Sequence, residues 1–292
     1  MGVAARLALF AVLLAAVFGG AALLGGAVDP SGADDDQPAA HAEEPADGAH
    51  GDEEQEADGA HAGSEKASAA LPGLAAEQDG LRLVLDQPRR ARPDAAAPIR
   101  FRIVGDDGRP VRDFDVAHDK RMHLIVVRRD LRGFQHLHPE QTPDGAWETR
   151  ADLGTAGVHR VFADFTIDGD KHTLGTDLHV AGDYAPQPLP AAATTARAGD
   201  LEVVLRRRGS RLGFDVLRDG RVVNDELEPY LGAKGHLVTL RAADLAFLHT
   251  HPDGDQLAFD TELPSPGAYR VWVQFQLDGR VHTAAFTQEV TS

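Results

Sequence analysis

The feature that most constrains this chain is that about a third of it is written twice. FRIVGDDGRPVRDF is echoed by FDVLRDGRVVNDEL, HLIVVRRDLRGFQHLHP by HLVTLRAADLAFLHTHP, and GVHRVFADFTIDGDKHT by GAYRVWVQFQLDGRVHT. Two copies of about 100 residues are too few and too long for a solenoid, so each must bury a core of its own. Within each copy apolar and polar residues alternate, as in LRLVLDQ, PIRFRIV, MHLIVVRR, VHRVFADFTI and HTLGTDLHV, with Gly, Pro and Asp between the runs. That period of two predicts short antiparallel strands. The expected fold is all-β: two tandem Ig-like antiparallel β-sandwiches over 80–181 and 199–292, joined by a Pro/Ala linker at 182–198.

What precedes the copies places them. Arg6 is followed by an uncharged apolar run from Leu7 to Val28, about 33 Å long as a helix and matched to a hydrocarbon core of about 30 Å. With positive charge before the run and Asp29 after it, residues 1–28 read as a transmembrane anchor whose N-terminus stays in the cytoplasm. A cleaved signal peptide is the competing reading, since Gly20/Ala22 and Gly25/Ala27 suit a small-residue cleavage site. Both readings put the rest outside the cytoplasmic membrane. Residues 29–79 read as a disordered tether with ADGAH written twice, and from Asp29 to Lys66 there are 13 Asp/Glu against one Lys. His41, His50 and His61 lie among those carboxylates and offer weak, dispersed cation sites.

Composition then removes whole classes of function. The formal charge of −17 excludes the basic field that nucleic acid demands. There is no cysteine, so disulfides, thiolate metal sites and cysteine nucleophiles are excluded, and with only Met1 and Met122 a Met-rich Cu(I) site is excluded too.

Against that background the 14 histidines stand out, and the repeat sorts them. His123 matches His236, His136 matches His249, His138 matches His251, and His172 matches His282. His118, His159 and His179 fall opposite Leu231, Tyr269 and Glu289 and read as incidental. In a strand, residues i and i+2 point to one face roughly 6.5 Å apart, a separation two imidazoles can bridge to one ion at about 2.0–2.1 Å each. His123, His136, His138 and His172 are therefore candidate ligands in the first copy, and His236, His249, His251 and His282 in the second. Imidazoles without a thiolate or thioether suit Cu(II), Zn(II) or Ni(II), with Cu(II) and Zn(II) the leading candidates. A histidine before proline at a strand end also serves simply to hydrogen-bond a turn, so an envelope scaffold that uses these rings for packing is the alternative.

Enzymes built on HxH fit poorly. A JAMM-type metalloprotease would need Ser and Asp where Phe259 and Glu262 stand, and the cupin spacing fails at Glu140 and Gly133, which leaves a bicupin-like enzyme as a remote option. No GxSxG, P-loop, dinucleotide fingerprint or HExxH occurs. The chain reads as a binding protein, not an enzyme.

The segments HDKRMHLIVVRRDLRGFQHLHPE, YLGAKGHLVTLRAADLAFLHTHP and VHTAAFT resemble a family of uncharacterised membrane-anchored or secreted actinobacterial proteins. Its members have a hydrophobic N-terminus, a His/acidic tether and two His-containing β-domains. Those domains are similar to YtkA-like and other heavy-metal-associated extracytoplasmic sandwiches. The resemblance implies a heavy-metal-associated role at the cell surface. The histidine pattern and the N-terminal segment themselves point to divalent metal ions and the membrane as partners, with delivery to a membrane or exported protein. The missing Met-rich motif departs from copper(I) chaperones.

Overall fold

Two β-sandwiches, each of two sheets, account for almost all of the described chain. The computed structural model describes residues 71–86, 90–248, 250–252 and 254–291. The expected anchor or signal segment, the tether up to residue 70 and His249 lie outside the described residues. Among the described residues no helix is long and apolar enough to cross a membrane.

In the first copy one sheet runs Glu77–Gln78, Leu81–Leu85, Ala97–Val104, Trp147–Ala151, Glu140–Gln141. The facing sheet runs Arg90–Ala91, Asp170–Val180, Gly157–Ile167, His123–Arg128, Gln135–Leu137. All these pairings are antiparallel except that of Arg90–Ala91 with the end of Asp170–Val180. The second copy repeats the plan. Thr195–Ala198, Leu201–Arg208, Arg211–Arg218, Ala258–Thr261 and Thr250–Pro252 form one sheet, with Arg221–Val222 beside Arg211–Arg218. Phe247–Leu248, His236–Arg241, Gly267–Leu277 and Arg280–Val290 form the other.

Each copy has its own core, as alternation requires. Ile99, Phe101 and Ile103 meet Leu124, Val126, Val161 and Ala163 in the first. Val203, Leu205 and Phe214 meet Val271, Val273 and Phe275 in the second. A third cluster joins the copies: Ile125, Val127, Leu131 and Phe162 pack against Val238, Leu240, Leu245, Phe247 and Trp272. The run HLIVV therefore does not alternate between core and water. Its Leu124 and Val126 enter the first core while Ile125 and Val127 enter the interface.

That interface is close to self-complementary. Phe134 stacks on Trp272 at 4.6 Å, and Phe162 meets Phe247 at 5.5 Å. Phe134 is the repeat equivalent of Phe247, and Phe162 that of Trp272, so both are one contact seen from either side. Such exchange of i with j is the mark of an isologous pairing. Burying an aromatic or branched side chain of this kind contributes about 1.5–3 kcal/mol before ordering costs.

Two segments expected to be loose are fastened to this assembly. Residues 71–79, assigned by the sequence to the tether, belong to the fold. Gly73 donates its N–H to the Thr173 carbonyl, the Arg160 guanidinium donates to the Gly73 carbonyl at 2.6 Å, and Phe247 N–H of the second copy donates to the Pro72 carbonyl. A Cβ on Gly175 would lie 2.1 Å from the Gly73 carbonyl oxygen, so only glycine admits the segment there. The Pro/Ala linker is held as well: Gln187 N–H donates to Asp130, Arg132 to the Pro188 carbonyl, and Gln288 to the Ala193 carbonyl. Asp130 is itself gripped by Arg128 at 2.6 Å. The last linker residues, Thr195–Ala198, form an edge strand of the second copy.

Candidate metal centre

The short strand Gln135–Leu137 pairs with His123–Arg128 so that Ile125 lies opposite His136 and Leu124 opposite Leu137. His136 and His138 thus share a face, two residues apart, and the register sets His123 across from His138. Because His123 shares its face with Ile125 and Val127, this is the face turned toward the second copy. The three rings converge, with one ligand atom from each lying within 4.8 Å of the others. Among the described residues they form the one group of three or more side chains that could hold a metal ion. Their ring centres are 5.2, 5.2 and 4.8 Å apart. Three imidazoles on a common ion at about 2.0–2.1 Å have centres roughly 5 Å apart.

Hydrogen bonds decide which nitrogens face inward. His123 Nε2 lies 3.1 Å from the Ala117 carbonyl oxygen, which only accepts, so Nε2 carries the proton and Nδ1 keeps the lone pair. His136 Nδ1 donates to Gln274 Oε1 at 2.7 Å, and the amide is oriented by its own donation from Nε2 to Thr283. That leaves a lone pair on His136 Nε2. The two unprotonated nitrogens, His123 Nδ1 and His136 Nε2, face one another at 3.0 Å. His138 Nε2 is buried with no hydrogen-bond partner. Ligands whose far nitrogen is fixed by a carbonyl are the usual arrangement around a bound metal.

The surroundings disfavour charge on two of these rings, His136 and His138. Burial, then His123 and His138, hold His136 well below the ordinary histidine range. Burial, followed by His123 and Lys120, lowers His138 to about 4. Neutral imidazole is the form that binds metal.

Two further rings stand beside this triad. His236 of the second copy lies 6.2 Å from His123 and 6.0 Å from His136, and His118 meets His236 edge-on at 5.1 Å. His118, His123, His136 and His236 together line a cavity of about 80 Å³ between the copies. His118 sits in a tight turn closed by Ala117 and Lys120, where His118 and Asp119 both have positive φ (51° and 59°). The second copy makes the same turn with Leu231 and Gly232. Comparing the copies discarded His118 because its equivalent is a leucine; only the position of the turn at the interface brings it in.

The expected fourth ligands lie elsewhere. His172 pairs in register with Phe165 and stacks on it at 5.5 Å; His282 pairs with Phe275 and stacks at 5.6 Å. Phe165 and Phe275 are core residues of their copies. A histidine laid over the core aromatic opposite it explains why this position recurs, and neither ring belongs to the converging group. The second expected set is therefore divided. His236 stands with the first copy's rings, His282 stacks, His251 lies in the strand Thr250–Pro252 with its backbone opposite Asp260, and His249 is outside the described residues.

The fold and site thus define a pair of Ig-like antiparallel β-sandwiches joined face to face, with a histidine cluster at the joint. The chain belongs to the DUF8832 family, a domain of unknown function, which it matches over residues 76–182 and again over 197–292. No curated protein matches it. Among solved structures it is similar to a Salmonella alpha-2-macroglobulin mutant (15% identity, 75% of this chain and 15% of that one, TM-score 0.28). Titin-A168169 is matched at 12% identity over 73% of this chain and 98% of that one, with a TM-score of 0.21. A membrane-anchored protein from Corynebacterium diphtheriae, described as putative, is matched at 10% identity over 74% of this chain and 59% of that one, with a TM-score of 0.24.

Proposed function

We propose that this protein binds a divalent transition-metal ion through His123, His136 and His138. It does so outside the cytoplasmic membrane, held there by Leu7–Val28, and buffers, senses or delivers the ion to a membrane or exported partner. The observation that supports this most is the pair of lone pairs on His123 Nδ1 and His136 Nε2, aimed at each other at 3.0 Å. Two such nitrogens repel unless a cation lies between them. A proton is the rival, but burial disfavours charge on His136 at neutral pH, whereas a metal ion gains coordinate bonds from several nitrogens at once. At about 2.0–2.1 Å from each nitrogen, the present separation corresponds to an angle of roughly 95°, so a tetrahedral ion needs an opening of a few tenths of an ångström. All-imidazole ligation suits Zn(II) and Cu(II), in keeping with the resemblance to heavy-metal-associated sandwiches. His41, His50 and His61 in the acidic tether would gather ions weakly.

The test is calorimetry and elemental analysis of the full chain in detergent with Zn(II) and Cu(II), alongside His136→Ala/His138→Ala. The double variant is expected to take up one tight equivalent fewer than the parent. Equal uptake by both would defeat this reading and favour an envelope scaffold whose histidines serve packing, as His172 and His282 do.

A further inference from the structure

We propose that His236, from the second sandwich, supplies a fourth imidazole to the ion held by His123, His136 and His138, so that one ion is shared between the two copies. This rests on the metal-binding reading above.

Several independent features bring His236 to this place. It is the first residue of its strand, as His123 is of the equivalent strand. Its Nε2 lies 3.1 Å from the Tyr230 carbonyl oxygen, six residues upstream, just as His123 Nε2 lies 3.1 Å from that of Ala117. The proton is therefore on Nε2, and Nδ1 is free to bind, as in His123. His236 and Gln274 are opposite one another on adjacent strands, so they share a face. Gln274 is the residue that orients His136 across the interface.

The strand start is also tightly seated. A Cβ on Gly235 would lie 2.4 Å from the Gln274 carbonyl oxygen and 2.5 Å from Leu257 Cδ1, so only glycine allows the chain to enter here. His118 and Tyr230 flank the His236 ring edge-on at 5.1 and 5.4 Å. Ring-centre separations of 6.0 and 6.2 Å to His136 and His123 exceed the 4.8–5.2 Å found within the triad. The remaining approach is about 1 Å, within what side-chain torsions give without moving the sheets.

The consequence is a linkage. An ion that takes three ligands from one copy and one from the other binds only the docked pair, and so tightens the docking by mass action. A triad alone would take about two or three waters, becoming five- or six-coordinate, and would be linked to docking only through Gln274.

Co(II) substitution of the full chain reads the difference, because four-coordinate Co(II) has much stronger visible ligand-field bands than five- or six-coordinate Co(II). The parent is expected to show the intense spectrum. His236→Ala and the ring-preserving His236→Phe should both keep one equivalent, lose band intensity and weaken binding by at least about 10-fold. His172→Ala, whose ring lies over Phe165 outside the cluster, should keep the spectrum. Unchanged bands and affinity in the His236 variants, with loss of the ion in His136→Ala/His138→Ala, would overturn the shared site and leave the triad standing. Retention of the ion in that double variant would instead remove the triad itself.

Discussion

The same position in the two copies does different work, and the contrast lies in one residue. His123 pairs across its sheet with Asp164, and His236 with Gln274. Asp164 accepts the Thr173 hydroxyl at 2.6 Å and stays within its own copy. Gln274 donates to the equivalent Thr283 with its Nε2 and so has its oxygen left for His136 of the other copy. A carboxylate only accepts, whereas an amide both donates and accepts and can bridge two partners. Duplication supplied two equal faces; at this position the second copy's amide reaches across the joint to His136, while the first copy's carboxylate bonds its own Thr173.

The largest effect should come from breaking the shared face. Trp272→Ala removes the ring stacked on Phe134 and should destabilise the chain by about 3–5 kcal/mol in denaturant unfolding. An unchanged midpoint would mean that the copies do not depend on this contact. Next, Gln274→Leu keeps the volume but leaves His136 Nδ1 without its acceptor. Ion affinity should fall by about 10–100-fold, as for other second-layer partners of ligating histidines. Asp164→Asn, the matching change in the other copy, should leave affinity almost unmoved, and calorimetry on both variants sets the contrast directly.

A smaller pair of changes tests the rings that lie outside the cluster. His172→Ala and His282→Ala should each cost about 0.5–1.5 kcal/mol of stability, the value of an aromatic pair, with no loss of bound ion. If His172→Ala removed an equivalent, its place on Phe165 would not be its function. Finally, acid should weaken the ion-free chain gradually. His138 and His236 have folded pKa values of about 4, below the ordinary histidine value of about 6.5. The unfolded chain therefore binds more protons between those limits, and stability falls as pH drops from about 6.5 to 4. Thermal melts across that window check the sign; His236→Phe should flatten the slope.

Much of the fold was legible because it is local. Alternation along LRLVLDQ, PIRFRIV and VHRVFADFTI requires strands, and their repetition requires two cores. The placing of His136 and His138 on one face follows from the period of a strand alone. The residues just before 80 are not legible as part of the fold, because LPGLAA carries no alternation and is held by backbone groups of Thr173 and Phe247. In HLIVV every residue after the histidine is apolar, and that unbroken run is the sign in the sequence of a second buried face.

What the sequence by itself determined is thus the duplication, the strands and the pairing of His136 with His138. Only the tertiary structure decided that His172 and His282 lie over core aromatics, that His118 joins the cavity, and that His236 turns toward the other copy's rings. The reason is physical. A strand's period and register are set by neighbours along and across one sheet, but which rings meet at the joint depends on how two whole faces dock. The apolar side chains that drive this docking, Phe134, Phe162, Phe247 and Trp272, say nothing in the sequence about the histidines they bring together.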